Sequence, residues 1–499
     1  MAGEDIGIEP ATSKQYNRWK TLIPFLYDWF NNHNLVPWPS YTCRWGPQME
    51  SHTYKNKQRL YLSERTDGSA PNTLLVMNAE VIRPRVAAAE HIAKFNEEHL
   101  SPFVKKHKVI PHPGEVNKIR EVPDIPHVVV THTDAPELYV WNVERQPAEA
   151  QADAEPTPDA ILIGHKENAE FALGMSRKGS CVASGGQDKM VLLWSLEDHK
   201  TALSSTSADN SANLQKAPKI EPRFKFQGHK DTIEDVRFNP FSEYELCSVG
   251  DDKTLLFWDS RAGTSPVLKV LKAHNNDLHC CDWSPFEDHL IVTGSADKNL
   301  RLFDRRKLTL TTTGAAVVHC FESHEAPITT VEWSPHAKGI LASSSEDAKV
   351  NVWDCTKFGA RQSVDERKYG PPELLFQHAG HRSQVVDFHW NPVDPWTCLS
   401  VSDESSELSG GGGGTLQLWR VNDLIYRPEK EVLAELEKHR NQITGTKSGT
   451  PKPAAAKQLP LQSPSKAASA GKEGPPDTNK GEGEPQKMEE GDGDGCAAK

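Results

Sequence analysis

A histidine, a Ser or Thr nineteen residues later, an Asp three or four beyond that and a closing aromatic recur six times along this chain. The sets are His112-Thr131-Asp134-Trp141, His165-Ser184-Asp188-Trp194, His229-Ser248-Asp252-Trp258, His274-Thr293-Asp297-Phe303, His324-Ser343-Asp347-Trp353 and His381-Ser400-Asp403-Trp419. Five of the six keep the same His-to-aromatic distance of 29 residues. Spacing held that tightly marks one supersecondary unit repeated, and it limits the fold to architectures made by stacking copies of that unit.

Short β-branched and apolar runs separated by Gly, Asp, Ser and Asn turns fill each unit, as at 236–240, 246–250 and 254–258. Such runs read as strands joined by hairpins. Four short strands in a unit of about 40–45 residues make the blade of an all-β propeller. Gly228-His229 with Trp258-Asp259, and His324 with Trp353-Asp354, resemble the opening and closing dipeptides of WD repeats. Six clear repeats imply seven blades. The first, divergent blade is expected from 38–45, 59–64 and 73–81. A strand near Leu35 would complete the last blade and remove the open sheet edges. The expected layout is a flexible start (1–12), an N-terminal helix (13–33), the seven-bladed propeller (34–426), a short helix (427–440) and a disordered tail (441–499).

The helix expectation rests on Tyr16, Trp19, Ile23, Leu26 and Phe30 at three- and four-residue steps, with Pro24 as a kink or break. The tail lacks the branched apolar residues that could offset ordering entropy. No apolar run of eighteen exists, so no membrane span and a soluble, intracellular chain are expected. Nine cysteines are scattered without a Cys-x-x-Cys pair, and Cys247, Cys280, Cys281 and Cys398 read as buried thiols. No metal or cofactor is expected. A formal net charge of −12 argues against a general or sequence-specific DNA-binding surface and favours basic partners.

Ser, His and Asp recurring together could suggest a hydrolase, but a catalytic triad occurs once per site with an oxyanion hole beside it. Six copies at matched spacing mean architecture, and no enzymatic activity is expected. The glycine run 410–414 precedes a strand rather than a helix, which makes it a hairpin loop and not a phosphate cradle. Glu115, Glu170, Glu234 and Asp277 follow the repeat histidines by three to five residues. With Asp403 they are expected on one rim of the channel, where they could accept Lys and Arg of a basic tail. Phe25, Leu26, Trp29 and Phe30 offer more apolar surface than one docking face needs, which suggests a groove for a partner helix.

Several stretches outside the repeats narrow the family: P-F-L-Y-D at 24–28, W-P-S at 38–40, G-P-P-E-L-L-F at 370–376 and D-F-H-W-N-P-V-D-P-W at 387–396. Together they resemble the retinoblastoma-associated histone-binding WD-repeat proteins. The glycine insertion before Trp419 and D-L-I-Y-R-P-E at 423–429 resemble the plant FVE-type branch. The resemblance implies a non-enzymatic nuclear subunit of histone deacetylase or Polycomb-type methyltransferase complexes, with flowering control as its output. It also implies a histone-helix groove of Phe25, Leu26, Trp29, Asp365, Glu366, Leu374, Leu375 and Phe376. Arg361, Arg367 and Lys368 make the loop before that last stretch less acidic than is common in the family. Trp258-Asp259-Ser260-Arg261 and Phe303-Asp304-Arg305-Arg306 resemble the W-D-x-R boxes read by the adaptor of cullin-RING ubiquitin ligases. A substrate receptor for such a ligase is therefore the alternative reading.

Overall fold

Seven mainly antiparallel sheets, six of them built from consecutive stretches of chain, form the computed structural model. Residues 11–84, 100–147, 155–168, 171–205, 217–313, 316–404 and 414–444 are described. The flexible start (1–10 of it), the tail beyond 444, Glu170 and glycines 410–413 lie outside them. Blade 1 is Cys43–Ser51, Lys55–Glu64, Thr73–Ile82 and Val104–Pro111, with the first of these innermost. The innermost strands of blades 2 to 7 are Lys118–Val122, Leu173–Met175, Ile233–Phe238, Leu278–Trp283, Ile328–Trp333 and Val385–Trp390. The architecture is the expected seven-bladed β-propeller. Met1–Ala434 forms one compact unit holding this ring, and Glu435–Lys499 forms a second. The C-terminal helix is Glu429–Thr444, four residues longer at its end than expected.

Blade faces are apolar because strand alternation sends every second side chain to the neighbouring blade. Val128, Val130 and Val140 of blade 2, for example, meet Leu173, Val182 and Leu192 of blade 3 in one buried cluster.

Ring closure differs from the sequence expectation at the N-terminal helix. Helix α1 spans Ala11–Leu26, not 13–33, and Tyr27–Asn34 is a strand. That strand pairs antiparallel with Thr415–Val421, from Tyr27 opposite Val421 to Asn34 opposite Thr415, and becomes the outer strand of blade 7. Leu35 N–H continues the ladder to the Gly414 carbonyl at 3.0 Å. Pro24 cannot donate to the helix ladder, and two residues later the chain leaves the helix for the free edge of blade 7. Arg420 fastens the junction. Its guanidinium donates to Asp28 at 3.0 Å, to the Ile82 carbonyl of blade 1 at 2.7 Å and to Asp394.

The repeated polar sets are buried ties. In blade 4, His229 Nδ1 reaches Asp252 at 3.1 Å and Nε2 reaches Ser248 at 2.7 Å, while Trp258 Nε1–H donates to Ser248 at 2.8 Å. Blade 6 repeats this with His324, Asp347, Ser343 and Trp353, all within 2.9 Å. A single chain of donors runs Trp N–H to Ser, Ser O–H to His and His N–H to Asp, so each buried member of the set finds a partner. In consequence Asp188, Asp252 and Asp347 are all held below the usual carboxylate range by their histidines, against the opposing effect of burial.

Three sets depart from the expected wiring. In blade 3, His165 holds Asp188 and Ser184, both at 3.0 Å, but Trp194 donates to the Ile163 carbonyl instead. Ser184 has no place left for it, because His132 of blade 2 approaches its hydroxyl at 2.8 Å. His112 uses the Gly114 carbonyl rather than Asp134, and His381 uses Thr415 rather than Asp403.

Candidate functional site

Helix α1 is fixed by its inner face. Tyr16, Trp19 and Ile23 are buried among Tyr27, Phe30, Phe376 and Trp419. Trp19 Nε1–H donates to the Tyr27 hydroxyl at 2.8 Å, which reaches His378 Nδ1 at 2.6 Å. His378 Nε2 then meets Gln417 at 2.9 Å, and Gln417 donates to Asn32 and the Gly380 carbonyl. Burial holds His378 well below its ordinary pKa and therefore neutral, which suits it to accept on one nitrogen and donate on the other. The outer face is different: Phe25 is 73% exposed and Leu22 40%.

Of the expected groove residues, the structure leaves Phe25 at the surface and Leu26, Leu374 and Leu375 half-buried. Trp29 and Phe376 are corrections, at 3% and 5% exposure. Trp29 lies on the closing strand rather than on a helix, and it packs with Leu35, Trp45 and Leu60. Phe376 sits on the outer strand of blade 6, Leu374–His378, with its ring edge-on to Tyr27 at 5.6 Å. Asp365 and Glu366 are exposed, but each is held within its own loop. Asp365 pairs with Lys368 at 2.8 Å, and Glu366 accepts from the Ser363 amide at 2.6 Å. Sequence reasoning missed Val364 and Tyr369 of that loop, 77% and 75% exposed, and Leu22. Leu22 falls three residues before Phe25, a spacing that could have revealed the outer stripe.

The channel has two unlike ends. Glu115, Glu234 and Asp277 precede or begin innermost strands, and Asp403 follows the second strand of blade 7, so these four share one end. There Glu115 pairs with Arg65 at 3.2 Å, Asp277 lies 3.9 Å from Lys253, and Asp403 accepts from Gln384 at 2.9 Å. Asp251, not anticipated, joins them: partial burial and the nearby Asp277 and Asp231 raise its carboxyl above the usual range. At the other end, late residues of the innermost strands and the turns after them line a cavity of about 540 Å³.

The two box arginines are oriented alike. Arg261 makes a bidentate pair with Asp259 at 2.9 and 2.7 Å, and Arg306 does so with Asp304 at 3.0 and 2.8 Å. Their side chains remain 58% and 66% exposed. Among the described residues no cluster of His, Cys, Asp or Glu could hold a metal, and no helix is long and apolar enough to cross a membrane.

This geometry agrees with comparison to known proteins. Residues 14–83 match the family described as histone-binding protein RBBP4 or its CAF1C counterpart in the CAF1 complex. Residues 220–259, 265–304 and 315–354 match the WD domain, G-beta repeat. The WD-40 repeat-containing protein MSI4 of Arabidopsis thaliana is 53% identical over 453 residues, 89% of this chain and 88% of that protein. MSI3 of the same plant is 32% identical over 86% of this chain and 94% of its own length. The histone acetyltransferase type B subunit 2 of Debaryomyces hansenii is 28% identical over 87% and 96%. With its helix, divergent first blade and closing strand all accounted for, the chain belongs to the RBBP4-like family of WD-repeat proteins, in the plant branch that includes MSI4.

Proposed function

We propose that this chain is a non-enzymatic, nuclear scaffold subunit of chromatin-modifying complexes that holds core histones for deacetylase or Polycomb-type methyltransferase partners. The observation that carries the reading is Phe25, an aromatic side chain 73% exposed on a helix whose other face is locked into the ring. Exposing so large a ring has no value for folding, whereas aromatic anchors dominate helix-in-groove recognition. Leu22 beside it, and Val364 and Tyr369 on the loop that leads to the strand under α1, supply further apolar surface. Asp365 and Glu366 at that loop offer carboxylates to a basic histone helix once their local partners yield. The acidic end of the channel suits a basic tail by charge alone. In a plant, the output of such a scaffold is repression of flowering-time regulators.

The test is affinity purification of the tagged chain from nuclei, with mass spectrometry of what co-elutes. Core histones and a deacetylase or methyltransferase subunit are expected with the wild type, and histones are expected to drop out for Leu22→Ala/Phe25→Ala. Equal histone recovery from both removes the groove from the account. The exposed, matched Arg261 and Arg306 favour a second role as a cullin-RING substrate receptor. Arg261→Glu with Arg306→Glu should abolish adaptor co-purification while histones still co-elute; retained adaptor ends that reading.

A further inference from the structure

The cavity at the second end of the channel carries a charge arrangement that the histone-scaffold reading does not use. Equivalent positions late in the innermost strands form a belt: Arg44, Glu121, Gly174, Arg237, Asp282, Glu332 and His389. Much of it is internally matched. Arg44 donates to Glu121 and Glu332, both at 2.9 Å, and Arg237 pairs with Asp235 at 3.2 Å. Asp282 accepts from the Trp333 amide at 2.7 Å.

Two guanidinium groups stand outside this pairing. Arg120 is 5% exposed and makes one hydrogen bond, from Nη1 to the Ile119 carbonyl at 2.8 Å. Its Nε is buried with no partner, and among the described residues no carboxylate comes within ion-pair distance of it. Asp387 and Asp235 act on it only from farther off, while burial first, then Arg237 and Arg44, lower its pKa to about 10. It is still a cation at neutral pH. Arg177 is exposed at the same cavity, and among the described residues it has no hydrogen bond or ion pair. A buried donor left unpaired costs about 1–3 kcal/mol, more when charged, so a ligand that pairs it gains correspondingly.

The mouth of the cavity is apolar. Val393 lines it at 48% exposure, after Pro392. Phe241, next to the lining Pro240, is 47% exposed, and Phe286, on the equivalent turn of blade 5, is 41% exposed. A small inorganic anion could meet the arginines but would leave this rim uncovered. An acidic residue flanked by apolar ones uses both.

We propose that this end of the channel docks an acidic, apolar-flanked peptide segment of a partner protein, its carboxylate entering to meet Arg120 and Arg177 while its apolar side chains cover Val393 and the adjoining Pro-Phe turns. The site lies at the opposite end of the channel from the acidic rim and selects the opposite charge. A scaffold built this way holds a basic segment at one mouth and an acidic one at the other.

The experiment titrates the full chain into a fluorescein-labelled peptide carrying two glutamates between leucine and phenylalanine, followed by anisotropy. Saturable binding is expected, weakened about tenfold or more by Arg177→Glu and by Arg120→Met. Val393→Asp should weaken it as well, and a glutamine version of the peptide should not bind. Arg177 is exposed, so its variant folds even if Arg120→Met does not, and a melting curve on each variant checks this. Absence of binding, equal binding of the glutamine peptide, or binding unmoved by Arg177→Glu overturns the proposal. Saturation by inorganic phosphate without peptide binding also overturns it, in favour of a small-anion site. Histone capture by Arg177→Glu separates this outcome from failure of the scaffold reading.

Discussion

The two faces of α1 carry the same kind of residue to opposite ends. On the inner face, Trp19 is buried, donates its indole N–H to Tyr27 and packs edge-on to Phe30 and His378 at 5.5 and 5.8 Å. On the outer face, Phe25 is 73% exposed. The inner aromatics are matched in shape and in hydrogen bonding by the closing strand and blade 7, so their loss is a loss of fold. Nothing in folding requires the outer pair, so their loss should be read only by a partner. The same division separates the repeated polar sets, which satisfy one another, from Arg120, whose Nε is left without a partner.

The comparison breaks first, and most visibly, at Trp19. Trp19→Ala leaves a cavity and an orphaned Tyr27–His378 pair, and a cost of about 3–5 kcal/mol is expected in a urea titration. A change under about 1 kcal/mol would mean that α1 is not anchored as described. Next, Ser248→Ala strands both His229 and Trp258 of blade 4, so a loss of about 1–3 kcal/mol is expected by the same measurement. At the outer face the ordering reverses. Leu22→Ala/Phe25→Ala should shift stability by no more than about 0.5 kcal/mol yet weaken histone-helix binding by about 2 kcal/mol or more.

A smaller effect sharpens the buried side through pH. Burial lowers His381 to about 3, and mainly burial also lowers His112 to about 3. Their unfolded value lies near 6.5, so as pH falls the unfolded chain takes up these protons first. Stability from these groups is full above about 6.5 and is lost progressively toward 3. Asp297, held to about 2 by His274 against its burial, gives stability that is full above about 3.9 and is lost as pH falls through 2. Melting temperature between pH 6.5 and 4 should therefore fall less steeply in His381→Gln than in the wild type. Equal slopes would show His381 to be protonated in the native ring. Smallest of all, Glu234→Lys at the acidic mouth should weaken a basic tail peptide a few-fold, more at low salt. No change on reversal would remove Glu234 from that mouth's recognition.

What can be read from the chain beforehand follows from how local each signal is. The tetrads are legible because all four members fall within one repeat, and His229, Ser248, Asp252 and Trp258 meet as their spacing implies. Wiring that crosses a repeat boundary is not: His132 of blade 2 occupies Ser184 of blade 3. The helical period runs on past Leu26 to His33, beyond the true end of α1, because aromatics at 27, 29 and 30 fit a helical stripe as well as a strand. Their partner, Thr415–Val421, lies far along the chain, and that distant edge overrides the local period. Trp29 is misplaced with it. The channel arginines are invisible for a similar reason, since they converge only when the ring closes. A signal does exist. Arg44-Trp45, Arg237-Phe238, Asp282-Trp283, Glu332-Trp333 and His389-Trp390 each place a polar or charged residue before an aromatic on an innermost strand.

The most direct test is calorimetric titration of a basic core-histone helix peptide into the wild-type chain and into Leu22→Ala/Phe25→Ala, with melting curves on the same samples. Saturable binding that disappears in the variant while the melting temperature holds is the result expected here. Undiminished binding by an intact variant, or loss of binding only together with loss of the fold, would contradict the separation of α1 into an anchoring and a recognising face.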